Sequence, residues 1–246
     1  MVHGRVAILV QDIDAIGGAE AQALLLAREL RRRGREITVL TTRGARPTRA
    51  GADLDVVRLP LTGFEPLAAL ALRARPDVVA LYAVQVTLGI VAARLGKLLG
   101  LSVALKLACS GPPGDVATLR RMSARVRAPA LELLRNAHVV CVTRDIEVEA
   151  HGVGLTTTVR IPNGVDADAV ARAPIVRPVG ETPTIVFAGR FAPEKGVDLL
   201  IDAVGALRAT RPDVRLLIAG DGPERLALEA RAQAVAPGAV VFLGRR

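Results

Sequence analysis

Two cations in the second half of the sequence are spaced to bind a phosphorylated ligand. Arg190 and Lys195 lie in the segment FAGRFAPEKG, between an apolar run and a helix-like pattern. Gly189 precedes them and allows the backbone to approach a ligand closely. Arginine donates paired hydrogen bonds to phosphate oxygens, lysine adds a point charge, and the following helix N-terminus adds unpaired N–H groups. The segment predicts a diphosphate site, with a solvated turn as the alternative.

Three further glycine-containing turns follow strand-like runs. Gly17 and Gly18 open a helix-like pattern after the first apolar run, Asn163-Gly164 follows another run, and Gly220-Asp221-Gly222 precedes Pro223 and a further helix pattern. Loops at the carboxyl ends of parallel strands are where open α/β sheets bind ligands. A tight strand-to-helix turn remains the alternative for each of them.

Other chemically capable residues do not form a convincing centre. Three Asp-x-Asp pairs, at 12–14, 53–55 and 166–168, show that this pattern is common here and is a poor sign of a cation site. His138 and His151 have no evident nucleophile or acid partner, and the two cysteines have no metal-ligand spacing. We predict neither a metal nor another cofactor, and the catalytic residues stay unassigned.

The elements that must position these residues alternate between strand and helix. Val-, Ile- and Leu-rich runs without polar alternation predict parallel strands that are buried on both faces. The predicted strands of the first part are 5–10, 36–42, 56–59, 77–82, 102–107, 138–143 and 158–161. The predicted helices are 19–33, 86–99, 116–135 with an interruption at Pro129, and 145–150. This is the pattern of a doubly wound α/β domain.

The organisation predicted is a domain at 1–166, a Pro- and Gly-containing linker at 167–183, and a second α/β series at 184–246. Strands are predicted at 184–188, 214–219 and 239–243, with helices at 196–210 and 224–234. Three strands are few for an open parallel sheet, so we expect the second domain to be incomplete.

Composition excludes several classes of protein. The 246 residues are 51% hydrophobic, which excludes disorder for most of the chain. The net charge of +9 indicates either solvated arginines or an anionic partner, but 2% aromatic residues argue against a stacking surface for nucleic acid. The longest nearly apolar stretch, 78–93, is shorter than the roughly 20 residues of a membrane span. We expect a reducing, cytoplasmic setting.

The order and spacing of five segments resemble family 4 glycosyltransferases of the GT-B fold. These segments are GGAE, IPNGVD, FAGRFAPEKGVDLLIDA, LLIAGDGPE and VVFLG. The resemblance implies two Rossmann-like domains, with the acceptor bound mainly by the first and a nucleotide-diphosphate sugar mainly by the second. It also implies hexosyl transfer with retention of configuration and without a metal.

The resemblance assigns roles to individual residues of this sequence. It places Arg190 and Lys195 on the donor diphosphate, and Gly17 and Gly18 near the donor phosphates and sugar. The residues that it implies at the nucleotide pocket are Gly189, Gly220, Asp221, Gly222 and Gly244. The acceptor is expected to be a glycan or a lipid-linked molecule. The basic segment 116–135 then suggests peripheral contact with the inner membrane surface, against the alternative of a solvated helix face.

Two features of the sequence keep a second hypothesis open. The family's later acidic E-x7-E segment would fall beyond residue 246, and the loop that usually carries a histidine reads Ala108-Cys109-Ser110-Gly111. The chain therefore resembles an N-terminal fragment of the enzyme. The alternative is a non-catalytic or decayed nucleotide- or glycan-binding fragment of the same fold.

Overall fold

The computed structural model describes residues 4–13, 17–42, 51–174 and 182–245. The chain divides into two compact units, Met1–Ala173 and Pro174–Arg246. Each unit contains its own parallel sheet, with the strand order β3-β2-β1-β4-β5-β6-β7 in the first and β10-β9-β8 in the second. The predicted α/β class with two parallel-sheet units is confirmed.

The first unit is built from apolar strands that pair in parallel. The strands are β1 (Arg5–Val10), β2 (Ile37–Thr41), β3 (Asp55–Arg58), β4 (Val78–Val84), β5 (Ser102–Leu107), β6 (His138–Cys141) and β7 (Thr158–Arg160). The helices are α1 (Gly18–Arg32), α2 (Phe64–Arg73), α3 (Val86–Leu99), α4 (Asp115–Arg121), α5 (Ala124–Leu134), α6 (Arg144–His151) and α7 (Ala167–Arg172).

The two faces of the first sheet have separate cores. Leu81, Leu105 and their neighbours pack with helices α2 to α6 on one face. Ile8 and Val84 pack with Ala23 and Ala27 of α1 on the other face. The crossovers therefore cover both faces, which explains why the strand sequences do not alternate between apolar and polar residues.

The second unit repeats the same design on a smaller scale. Its elements are β8 (Thr184–Ala188), a 3-10 turn (Pro193–Lys195), α8 (Val197–Leu207), β9 (Arg215–Ala219), α9 (Arg225–Val235) and β10 (Val240–Gly244). Phe191 is fully buried in its core and contacts the ring of Phe242 edge to face, with 6.0 Å between the ring centroids.

Three details of the predicted elements were wrong. The helix predicted over 116–135 is interrupted at Met122 and Ser123, whose extended backbone separates α4 from α5. Pro129 lies inside α5, where its missing N–H costs one helical hydrogen bond but does not end the helix. Helix α2 was not predicted, and α7 lies within the segment predicted as a linker.

Candidate functional site

The carboxyl edge of the second sheet brings three loops together. Gly189 N–H donates to the carbonyl of Ala219 at 3.0 Å, and Phe191 N–H donates to the carbonyl of Asp221 at 3.0 Å. Gly220 N–H donates to the carbonyl of Gly244 at 2.8 Å. The residues predicted at a nucleotide pocket from all three strand ends are thus joined through their main chains.

Two glycines make this close packing feasible. A Cβ at Gly220 would lie 1.8 Å from the carbonyl oxygen of Gly189, and a Cβ at Gly222 would lie 2.2 Å from that of Phe191. Gly220 also has a φ of 148°, which side-chain-bearing residues rarely adopt. The two loops therefore contact each other backbone to backbone.

Arg190 and Lys195 are exposed cations on the loop that follows β8. Within the described part of the chain, neither side chain has a hydrogen bond or an acidic partner. Lys195 ends the 3-10 turn, and Gly196, with a φ of 59°, precedes the first turn of α8 without a side-chain cap. Two cations and uncapped helix N–H groups therefore share one loop, which is a suitable arrangement for binding an anion.

Asp221 lies near two cations, one at the start of α9 and one after β10. Its carboxylate accepts a hydrogen bond from Gly222 N–H at 2.8 Å. The guanidinium groups of Arg225 and Arg245 lie 3.8 and 3.7 Å from it. These contacts orient the carboxylate at the strand edge, beside the loop of Arg190.

Gly17 and Gly18 lie in the first unit, at the N-terminus of α1. Gly17 has extended backbone and no side chain caps the helix. One turn further, Gln22 donates to the carbonyl of Gly164 at 2.8 Å and accepts from Gly164 N–H at 3.1 Å. The second glycine motif, Asn163-Gly164, therefore lies beside the first one. Residues 14–16 of the preceding turn lie outside the described residues.

Two features at the carboxyl edge of the first sheet were missed from the sequence. The carboxylate of Asp115, 6% exposed, accepts N–H bonds from Val86 at 2.8 Å, Ala108 at 2.9 Å and Cys109 at 3.2 Å. Gln85 has a φ of 72°, unlike any other non-glycine residue that the structure describes. Strained backbone of this kind is concentrated at binding sites, and it marks the turn between β4 and α3.

A cavity of about 530 Å³ opens at this same edge of the first unit. Its lining is largely apolar, with Leu61, Phe64 and Leu88 among the residues, and Gln11 and Thr87 supply polar groups. This volume lies within the range of small-molecule sites.

Among the described residues, the discounted groups bring no metal-suited cluster together, and Asp14 of the first Asp-x-Asp pair lies outside those residues. No group of three His, Cys, Asp or Glu side chains suited to a metal occurs among the residues that the structure describes. His151 contacts the hydroxyl of Thr158 at 2.8 Å on the surface between α6 and β7. Burial raises the pKa of the Cys141 thiol to about 11, which makes it a poor nucleophile.

Comparison with known families identifies the chain. Residues 17–164 match the glycosyl transferase 4-like domain, and residues 182–246 match the glycosyl transferases group 1 family. The chain belongs to the glycosyl transferase 4-like family, as its motifs predicted.

Among curated proteins, the chain is similar to a GDP-mannose-dependent alpha-(1-6)-phosphatidylinositol dimannoside mannosyltransferase of Mycobacterium tuberculosis. The two are 42% identical over 100 residues, which cover 38% of this chain and 26% of that relative. A phosphatidyl-myo-inositol mannosyltransferase of Mycolicibacterium smegmatis is 40% identical over 85 residues, or 34% of this chain and 21% of the relative. The matched segments thus span about a quarter of their relatives.

Solved structures share the fold. Anabaena Alr3699/HepE, in complex with UDP and glucose, superposes with a TM-score of 0.75 at 20% identity, over 99% of this chain and 70% of that one. Sucrose-phosphate synthase from Thermosynechococcus elongatus gives a TM-score of 0.69 at 20% identity, over 99% of this chain and 71% of that one.

None of the described helices is long and apolar enough to cross a membrane.

Proposed function

We propose that this chain carries out hexosyl transfer from a nucleotide-diphosphate sugar to a glycolipid or glycan acceptor, with retention and without a metal. The observation that carries the proposal is the pair of cations Arg190 and Lys195, which have no partner among the described residues and share one loop beside the N-terminus of α8. The related proteins that use GDP-mannose, and the structural neighbour bound to UDP and glucose, support a nucleotide-sugar donor.

The chemistry of the transfer explains why such a pair is useful. As the bond between the sugar and the diphosphate breaks, positive charge develops on the anomeric carbon and negative charge on the leaving diphosphate. Arg190 and Lys195 would stabilise this negative charge more strongly in the transition state than in the ground state, which lowers the barrier. Fixed cations can provide the charge that a divalent ion provides elsewhere, and this supports metal-independent transfer.

The interlocked loops suit the recognition of the nucleotide. Gly189, Gly220 and Gly222 let the loops of the strand edge pack backbone to backbone, and Gly244 ends the neighbouring strand. Asp221 adds a carboxylate that its neighbours already orient. We assign these residues to the nucleotide pocket, and Gly17 with Gly18 to the donor phosphates and sugar.

The acceptor is assigned to the cavity of the first unit. Its apolar lining with a few polar groups at the rim fits a molecule that has both a lipid and a sugar part. The phosphatidylinositol-directed relatives support a glycolipid of this general kind. Retention of configuration rests on the resemblance to a retaining family, and the anomeric configuration of the product, read by NMR, tests it.

A basic surface supports peripheral membrane contact. Four exposed arginines and a half-buried one belong to it: Arg120, Arg121, Arg125, Arg135 and Arg127. Their described hydrogen bonds go to carbonyl or hydroxyl oxygens rather than to carboxylates. Each cation near an anionic bilayer contributes about 1 kcal/mol. Flotation with phosphatidylglycerol vesicles should exceed that with phosphatidylcholine vesicles, and equal flotation would contradict the contact.

A second candidate function is nucleotide or glycan binding without transfer. It is favoured by the loop after β5, where Ala108 and Cys109 occupy the region in which the family usually has a histidine. Donor turnover in the presence of lipid acceptors separates the two functions. Binding of a nucleotide sugar with no transfer to any acceptor would support this second candidate.

Calorimetry with UDP and GDP tests the donor site directly. We expect Arg190→Ala and Lys195→Ala each to weaken nucleotide affinity by about tenfold, because each removes a charge-assisted bond. Arg211→Ala is the matched control, since Arg211 is an exposed cation between α8 and β9, at the opposite edge of the sheet. Unchanged affinity in both site variants would exclude this loop from donor binding.

A further inference from the structure

Lys106 is a buried cation that neither the family match nor the proposed donor site explains. The residue is 8% exposed, yet its ammonium group has no hydrogen bond or ion pair within the part of the chain that the structure describes. Buried charges in proteins are normally paired, because an isolated one has lost its hydration without compensation. An anionic group from outside the chain would complete this environment.

The position of Lys106 on the sheet is well defined. It lies one residue before the carboxyl end of β5, between Val84 of β4 and Val140 of β6 in the strand register. Its neighbours Leu105 and Leu107 belong to the core on the α2–α6 face. Lys106 therefore points to the opposite face, where Val84 packs with α1.

The segment after β7 runs from this sheet to α1. β5 and β6 lie between β4, against which α1 packs, and β7, from which the segment 161–164 begins. Three strand spacings amount to about 14 Å, and the four residues from Arg160 to Gly164 span about 14 Å when extended. Gly164 at the end of this segment is hydrogen-bonded to Gln22 of α1 in both directions.

The ammonium group is nevertheless reachable from outside. The ammonium nitrogen of Lys106 is not completely buried and keeps a small contact with solvent. The N-terminus of α1 begins at the same edge of the sheet as the end of β5. Burial lowers the pKa of Lys106, which an anionic ligand would reverse.

We propose that Lys106 binds a phosphate group of the acceptor. This assignment rests on the proposed function, since it concerns the acceptor side of the same reaction. A phosphate matches the site because its oxygens accept charge-assisted hydrogen bonds from an ammonium group. Lys106 would then select phosphorylated acceptors over neutral sugars.

The test compares inositol 1-phosphate with inositol as probes of the full chain, by calorimetry. We expect Lys106→Met to weaken inositol 1-phosphate binding by about tenfold or more, with UDP affinity unchanged, and Lys106→Arg to restore part of the loss. Lys97→Met is the control, because Lys97 is an exposed lysine on α3. Equal affinity of wild type and Lys106→Met, or of the two probes for wild type, would overturn the proposal.

A stability measurement distinguishes binding from a structural role. Methionine preserves the length of the side chain and removes an unpaired buried charge, so Lys106→Met should melt at the same temperature as wild type or higher. A lower melting temperature together with weaker probe binding would show that Lys106 supports the fold. A loss of UDP affinity in Lys106→Met would assign the lysine to the donor and overturn the acceptor assignment. If Arg190→Ala and Lys195→Ala left UDP affinity unchanged, the donor site would be wrong, but the inositol 1-phosphate result would still test Lys106.

Discussion

Gly220 lies so close to Gly189 that a methyl group on its Cα would be 1.8 Å from the Gly189 carbonyl oxygen. The loops that follow β8 and β9 are therefore in direct main-chain contact. The atom in the way belongs to backbone that is itself hydrogen-bonded to Ala219, so it cannot rotate aside as a side chain could. The position depends on glycine for steric reasons as well as for its φ of 148°.

Gly220→Ala should destabilise the second unit by about 3 kcal/mol, because the added methyl group forces the two loops apart. Gly238→Ala is the graded control, since a Cβ there meets nothing within 4 Å and only its φ of 71° is unfavourable. We expect that variant to lose about 1 kcal/mol. Urea denaturation gives both values, and equal losses would contradict the steric explanation.

Asp115→Asn should destabilise the first unit by about 3 kcal/mol, because an amide NH₂ would face backbone N–H groups that now donate to a carboxylate. Asp145→Asn is the control, since Asp145 is exposed in the first turn of α6, where its charge contributes less than about 1 kcal/mol. Chemical denaturation measures both. Similar losses in the two variants would show that the bonds to Val86, Ala108 and Cys109 contribute little.

Tyr82 offers a spectroscopic test of burial, because it is the only tyrosine and the chain has no tryptophan. Burial raises its pKa to about 12. The pKa of Tyr82 in the folded state is higher than the unfolded value near 10. The contribution of the neutral side chain to folding stability is therefore fully present below about pH 10 and is lost as the pH rises from about 10 to 12. Absorbance at alkaline pH should show ionisation near 12 in the folded chain and near 10 in denaturant. A native midpoint near 10 would contradict the burial.

Asp202 links α8 to α9 through Arg231, whose Nε donates to its carboxylate at 2.7 Å. This bond holds the pKa of Asp202 below its usual value. The stabilisation is present above the unfolded pKa near 3.9 and is lost as the pH falls through the lower, folded value. The difference in unfolding free energy between wild type and Asp202→Asn should therefore shrink from pH 6 to pH 3. A difference independent of pH would contradict this contribution.

The strands of both sheets could be predicted because continuous apolar runs indicate segments that are buried on both faces. The strands at 102–107 and 184–188 and the helix at 86–99 were predicted with the bounds that the structure has. Helix α2 was missed because its exposed face also carries Leu67 and Leu70, which weakens the helical period. The interruption before α5 could not be placed, since it depends on the backbone of Met122 and Ser123 rather than on the more conspicuous Pro129.

At the candidate site, the glycines and the two cations could be placed on strand-end loops because loop motifs are local in sequence, and their binding roles stay predictions. Asp115 could not be identified, since its donors come from two loops that only the pairing of β4 and β5 brings together. The same is true of Lys106, which the strand register places between Val84 of β4 and Val140 of β6. Such relationships depend on contacts between residues far apart in the chain.

The main-chain interlock of the second unit has a consequence for protein engineering. Since Gly189, Gly220 and Gly222 shape the loops through backbone atoms, the exposed side chain of Arg190 can be exchanged without rebuilding the scaffold. Libraries intended to alter the preferred sugar nucleotide should therefore randomise this exposed position and leave the three glycines fixed.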